Sequence, residues 1–194
     1  VMLSAGGQGT ILNTGTISAR NQNGSGGQID VEAGSVLLEA GALDAAGIND
    51  QVGGDVSVVA NNVVVGGEAT VDVSGSVGGT ASLIAASAST ISGTVNASGS
   101  VGNGGAVDVT GAGVSIGSTS AINASGRLDG GDVRIGGGFQ GNDAGLSNSG
   151  LTEVSQGSLV IADGEIGNAG SVVIWSDGDT TFNGEIRAEA YGVG

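Results

Sequence analysis

The chain has 194 residues, with 19 acidic side chains against four arginines, no lysine and no histidine, for a net charge of −15. That balance excludes a basic patch, and with it nucleic acid and anionic membrane surfaces as partners. Cysteine is absent too, so Ser-His and Cys-His nucleophile systems, zinc sites and Schiff-base chemistry have no residues to be built from.

The 42 glycines stand at corners rather than in a Gly-X-Y order, which excludes collagen. Hydrophobic residues make up 39% and are strictly patterned, which excludes disorder. Proline is absent, so every strand interior keeps its N–H for pairing. Aromatics are only 2%, as suits a thin bore filled by Val, Ile, Leu and Ala. No apolar run reaches the length that crosses a bilayer, so no membrane insertion is expected. No signal peptide stands at Val1 and the first residues already read as strand, which predicts an internal segment of a longer protein.

In chain order, the elements are short alternating runs between glycine pairs. Apolar residues at i and i+2 put one face of each run inward. Residues 1–27 form a first unit, with Ile17 and Ala19 inward before the polar corner NQNGSGG. Units 28–54 and 55–79 are regular, with inward pairs Ile29/Val31, Val36/Leu38 and Leu43/Ala45, then Val56/Val58, Val63/Val65 and Val71/Val73. In unit 80–105, alanines at 81, 86 and 88 predict a narrower bore. Unit 106–131 is the clearest copy, with Val107/Val109, Val114/Ile116 and Ile122/Ala124 inward. Unit 132–170 is 39 residues long, one period plus 13, and the extra residues are placed within 136–150. Its inward pairs are read as Val133/Ile135 and Leu159/Ile161. A last unit begins at Ser171, with Val172/Ile174 and Ile186/Ala188.

The second glycines of successive closing pairs lie 27, 25, 26 and 26 residues apart. A fixed period with variable loops marks a solenoid. The fold class expected is all-β: a right-handed, three-sided parallel β-helix over 1–194, with six to seven coils of about 26 residues, a loop inserted at about 137–150, and uncapped ends. The right hand follows from the crossover rule for parallel strands.

The outward residues also stack. The third-run column reads Ser18, Asp44, Asp72, Asn96, Asn123, Val160, Arg187. Asp44 and Asp72 are expected as solvated carboxylates rather than a cation site, and Asn96 over Asn123 as an amide ladder. In the first-run column Arg134 stands one coil above Asp108, an exposed pair worth about 0–1 kcal/mol. Asp177-Gly-Asp179 with Asn183 and Glu185 loosely resembles a calcium loop but lacks the spacing of known ones. No metal or cofactor site is expected.

The run GGDVRIGGGFQGNDAG (130–145), followed by GSLVIADG (157–164) and GSVVIWSDGDTTFNGEIRAEA (170–190), resembles the haemagglutinin-type repeats of filamentous-haemagglutinin-like exoproteins. Earlier coils resemble only the general repeat. The resemblance implies two-partner secretion, in which an outer-membrane transporter exports a long β-helical passenger. It also implies an extracellular or bacterial cell-surface location and an adhesin's role. The function expected is therefore that of a non-enzymatic structural segment of a surface or biofilm-matrix adhesin, a rigid stalk with contacts to exopolysaccharide or to a host or neighbouring cell. The alternative is a polysaccharide-active β-helix enzyme using paired carboxylates.

The candidate binding residues lie on and beside the inserted loop: Phe139, Gln140, Asn142, Asp143, Asn148 and Trp175. Trp175 falls at a corner, with Gly136 in the coil below leaving space under its indole. Phe139 or Leu146 is expected to fold back and seal that corner, holding the polar loop residues outward over a rigid scaffold.

Overall fold

The computed structural model describes residues 1–192, so the last two positions of the expected segment lie outside the described residues. The chain winds as a parallel β-solenoid of seven coils. First-run strands pair in the order Met2–Ser4, Gln28–Leu38, Asp55–Val65, Thr80–Ile91, Ala106–Thr110, Asp132–Ile135, Ser171–Ile174. Third-run strands stack as a separate sheet of seven, from Thr16–Ser18 up to Glu185–Arg187.

The three expected faces are joined by hydrogen bonding into two sheets. In coils two to four the first and second runs form one bent strand of 11 or 12 residues, with a register irregularity between Ala60 and Asn62. In the fifth coil they separate into Ala106–Thr110 and Gly113–Ile116, where Gly111 and Ala112 interrupt the pairing. No α-helix occurs among the described residues, and none is long and apolar enough to cross a membrane.

The inward side chains form one apolar column from Ala19 to Val160. Val107, Val109, Val133, Ile135, Ile116 and Ile122 are fully buried. Burying each such side chain stabilises by about 1.5–3 kcal/mol, offset by the entropy of ordering it. The glycine pairs close the coils where backbones of adjacent turns nearly touch. A Cβ on Gly104 would collide with the Ala124 carbonyl oxygen, and one on Gly105 with the Gly79 carbonyl oxygen.

Two registers differ from expectation. In the fourth coil Ala86 and Ala88 are exposed rather than lining the bore, and Ala85, Ser89 and Ile91 point inward. In the sixth coil Val160 and Ala162 point inward, while Leu159 and Ile161 are half-exposed. Val160 pairs with Ile122 below and Ile186 above. The outward column therefore carries Ile161, not Val160. The cause lies in how the extra residues are divided. Pairing of Val114 with Thr152 shows a 38-residue step across the inserted loop, whereas Val133 pairs with Val172 across 39. Twelve of the 13 extra residues precede the second run, and one is taken up in the corner after the third.

A strapped loop as candidate functional site

The inserted loop leaves the sixth coil through Gly136 and Gly137, at φ +80° and +145°. It makes one 3-10 turn at Phe139–Gly141, where Gln140 takes φ +55°. It returns at Leu151, the start of the next strand. A non-glycine residue in the left-handed region costs about 1 kcal/mol or more and persists only where the surroundings hold it.

Several bonds hold this loop. Arg134 grips Asp108 bidentately, Nε to Oδ1 at 2.7 Å and Nη2 to Oδ2 at 2.9 Å. Its third nitrogen, Nη1, reaches Asp143 Oδ2 on the loop at 2.6 Å. Asp143 Oδ1 in turn accepts the Gly145 N–H at 2.9 Å. Burial works against the charge on Arg134, but the bonds and fields of Asp108 and Asp143 outweigh it and raise its pKa further above the ordinary value. Asp108 is only 7% exposed. The pair expected on an open sheet face therefore has its carboxylate largely desolvated, with the half-exposed guanidinium over it and the loop clamped to the guanidinium.

A second strap joins the loop to the seventh coil. Asn148 Nδ2 donates to Gly141 O at 3.1 Å and to Asp177 Oδ1 at 3.0 Å. Trp175 Nε1 donates to the same Asp177 oxygen at 3.0 Å. Thr152 Oγ1 donates to the Trp175 carbonyl at 2.8 Å, and Ser149 Oγ lies 2.6 Å from Thr152 Oγ1. Asn148 Oδ1 is buried without a hydrogen-bond partner.

The six candidate residues thus divide. Phe139, Gln140 and Asn142 form an exposed tip, whereas Asp143, Asn148 and Trp175 are half-buried and spent on holding the loop. Phe139 does not seal the Trp175 corner: it is 72% exposed. The loop's glycine backbone approaches the indole instead. A Cβ on Gly137 would stand 3.0 Å from Trp175 Cδ1, and one on Gly141 3.0 Å from Nε1. Only glycines let the chain lie this close, so the ring finds a cover without a second aromatic.

The outward columns are occupied in other ways than expected. Asp44 accepts from Arg20 at 2.6 Å and Ser18 at 3.1 Å, and Asp72 from the Ser74 N–H at 3.0 Å. Asn96 turns to Asp72 and to its own corner at Ser98, and Asn123 to the Ser125 N–H. These amides cap corners rather than stack as a ladder. Asp177, read loosely as part of a calcium loop, is the shared acceptor of the second strap. Among the described residues no three acidic side chains converge in a way that would hold a metal ion.

No family model and no curated protein matches the chain. A solved structure does: the secretion domain of HMW1 from Haemophilus influenzae, with a TM-score of 0.68 and 20% identity. The match covers 99% of this chain and 56% of that one, so the chain spans about half the length of the domain it matches. The two share a parallel β-helical fold. Sequence reasoning missed the third corner of the solenoid, where Ser98, Ser100, Arg127 and Tyr191 line a groove. The signal was present as a recurring Ser-Gly-Ser after the third run, at 74–76 and 98–100.

Proposed function

We propose that this chain is a structural segment of a secreted bacterial adhesin, exported by two-partner secretion through an outer-membrane transporter. It serves as a rigid stalk whose 137–150 loop meets an exopolysaccharide or the surface of a host or neighbouring cell. The observation that carries this reading is the fold shared with a secretion domain along nearly the whole chain. The haemagglutinin-type motifs at 130–190 support it from the sequence side.

The loop fits the contact role for a physical reason. Its two straps hold the backbone that carries Phe139, Gln140 and Asn142, so less entropy is lost on contact. A non-enzymatic role is supported by the state of the carboxylates. Asp44, Asp108, Asp143 and Asp163 are each paired with an arginine, whereas a glycosidic acid and base need two carboxyls flanking one reacting bond.

The test is adhesion of cells displaying the full-length protein with Phe139, Gln140 and Asn142 replaced by alanine. Attachment should fall while surface display is unchanged. Attachment equal to that of the parent protein at equal display would overturn the loop's role.

A further inference from the structure

We infer that the corner following the third run is a binding site for a neutral oligosaccharide. This site is separate from the 137–150 loop and stands whether or not that loop makes contacts. Its frame is a ladder of parallel bridges, Gly99 to Gly126, Gly126 to Gly164 and Gly164 to Ala190. The residue after each rung therefore falls in one column, and Ser100, Arg127, Glu165 and Tyr191 line one groove. The groove measures about 390 Å³, within the range of small-ligand sites.

The chemistry of the wall selects the ligand. Two guanidiniums, Arg127 and Arg187, share the wall with Asp163 and Glu165, and Glu189 stands beside Tyr191, so the groove offers donors without a net positive charge. Arg187 is bonded to Asp163 at 2.6 Å. Among the described residues Arg127 is the one arginine without an ion pair, and it is exposed. An unspent planar donor set thus stands beside the exposed acceptor Glu165 and the hydroxyl of Ser100. Sugar hydroxyls each offer one donor and two acceptor positions, and match such a mixed wall. Tyr191 is 55% exposed, with its hydroxyl bonded to Glu189. The flat apolar face of its ring suits the C–H face of a pyranose.

An anionic glycan is disfavoured, because its charge would meet a chain of net charge −15. A linear ligand has room to continue. A second groove of about 300 Å³ shares Ser98 and Ser100 with the first and runs on to Ser74 and Ser76. The trough thus follows the rod axis, the direction in which an extended chain would lie.

The experiment uses the purified chain on an array of neutral and acidic oligosaccharides, followed by titration calorimetry with the best-retained neutral glycan. Six proteins are compared: the parent, Arg127→Ala, Tyr191→Ala, Glu165→Gln, a distant surface control Glu153→Gln, and a loop control with Phe139→Ala and Asn142→Ala. Circular dichroism verifies the fold of each, and Glu165→Gln serves as a near-isosteric probe. The expected result is retention of linear neutral glycans, affinity reduced about tenfold by Arg127→Ala and by Tyr191→Ala, and no change in the distant surface control Glu153→Gln. The inference is overturned if no neutral glycan is retained at millimolar concentration. It is overturned equally if acidic glycans are preferred, or if Arg127, Tyr191 and Glu165 variants bind like the parent. Loss of binding in the loop control alone would move the ligand to the loop and remove it from this groove.

Discussion

Replacing Arg134 by alanine removes three bonds at once, two to Asp108 and one to Asp143. The two ends of this arrangement differ in cost. Asp108 is 7% exposed, so losing its partner leaves a carboxylate largely out of water. Orphaning a buried charge costs about 3–5 kcal/mol. The Arg134 side chain itself is 32% exposed, so water enters the vacated space and reduces that figure to about 2–3 kcal/mol. The Asp143 arm is more exposed and contributes about 0.5–1 kcal/mol. Asp108→Ala should cost less than Arg134→Ala, because it removes the buried charge and leaves an arginine that water can reach. The double replacement should then be less destabilising than the sum of the singles. Guanidinium unfolding followed by circular dichroism measures five proteins, the parent, the two singles, the double and Asp143→Ala, with a second probe to verify that each shows a single transition. Thermal melts should fall by about 5–10 °C for Arg134→Ala. An Arg134→Ala protein within about 0.5 kcal/mol of the parent, or one no weaker than Asp143→Ala, would refute the reasoning.

Three further outcomes are expected. Val109 is fully buried beneath Ile135, so Val109→Asp should unfold or fray the rod, since an unpaired carboxylate in the bore costs several kcal/mol; an unchanged melting temperature would contradict the packing. In the sixth coil Val160→Asp should be severe and Leu159→Asp mild, because only Val160 enters the core; equal effects on thermal melts would return the register to the sequence-based expectation. Phe139→Ala should change stability by no more than about 0.5 kcal/mol, as for other exposed side chains; a large loss in denaturant midpoint would mean that Phe139 holds the loop after all.

Much of the fold was legible because its marks repeat. From the second coil on, each first run begins just after a glycine pair or Ala169-Gly170, so its register follows from the corner. The third run was readable wherever a polar residue separates two apolar ones, as in Ile122-Asn123-Ala124. It failed at Leu159-Val160-Ile161-Ala162, where no polar residue marks the outward position. There alternation alone cannot choose between two registers a residue apart, although that slip reverses every side chain. The size of the insertion was also readable, but not its packing. The desolvation of Asp108 comes from Arg134 and Asp143, which lie 26 and 35 positions further on. The approach of Gly137 and Gly141 to the Trp175 indole is not something composition reveals. The groove at the third corner escaped notice because Ser-Gly-Ser reads first as a turn.

Export of the stalk through an outer-membrane transporter is the central proposal, and the location of the protein tests it most directly. Cells producing the full-length protein, with and without the transporter, are treated with protease and probed with an antibody raised against 137–150. The account predicts a signal at the surface or in the medium only when the transporter is present, and retention inside the envelope without it. Equal surface signal without the transporter, or a protein that stays inside the cell in both cases, would contradict it.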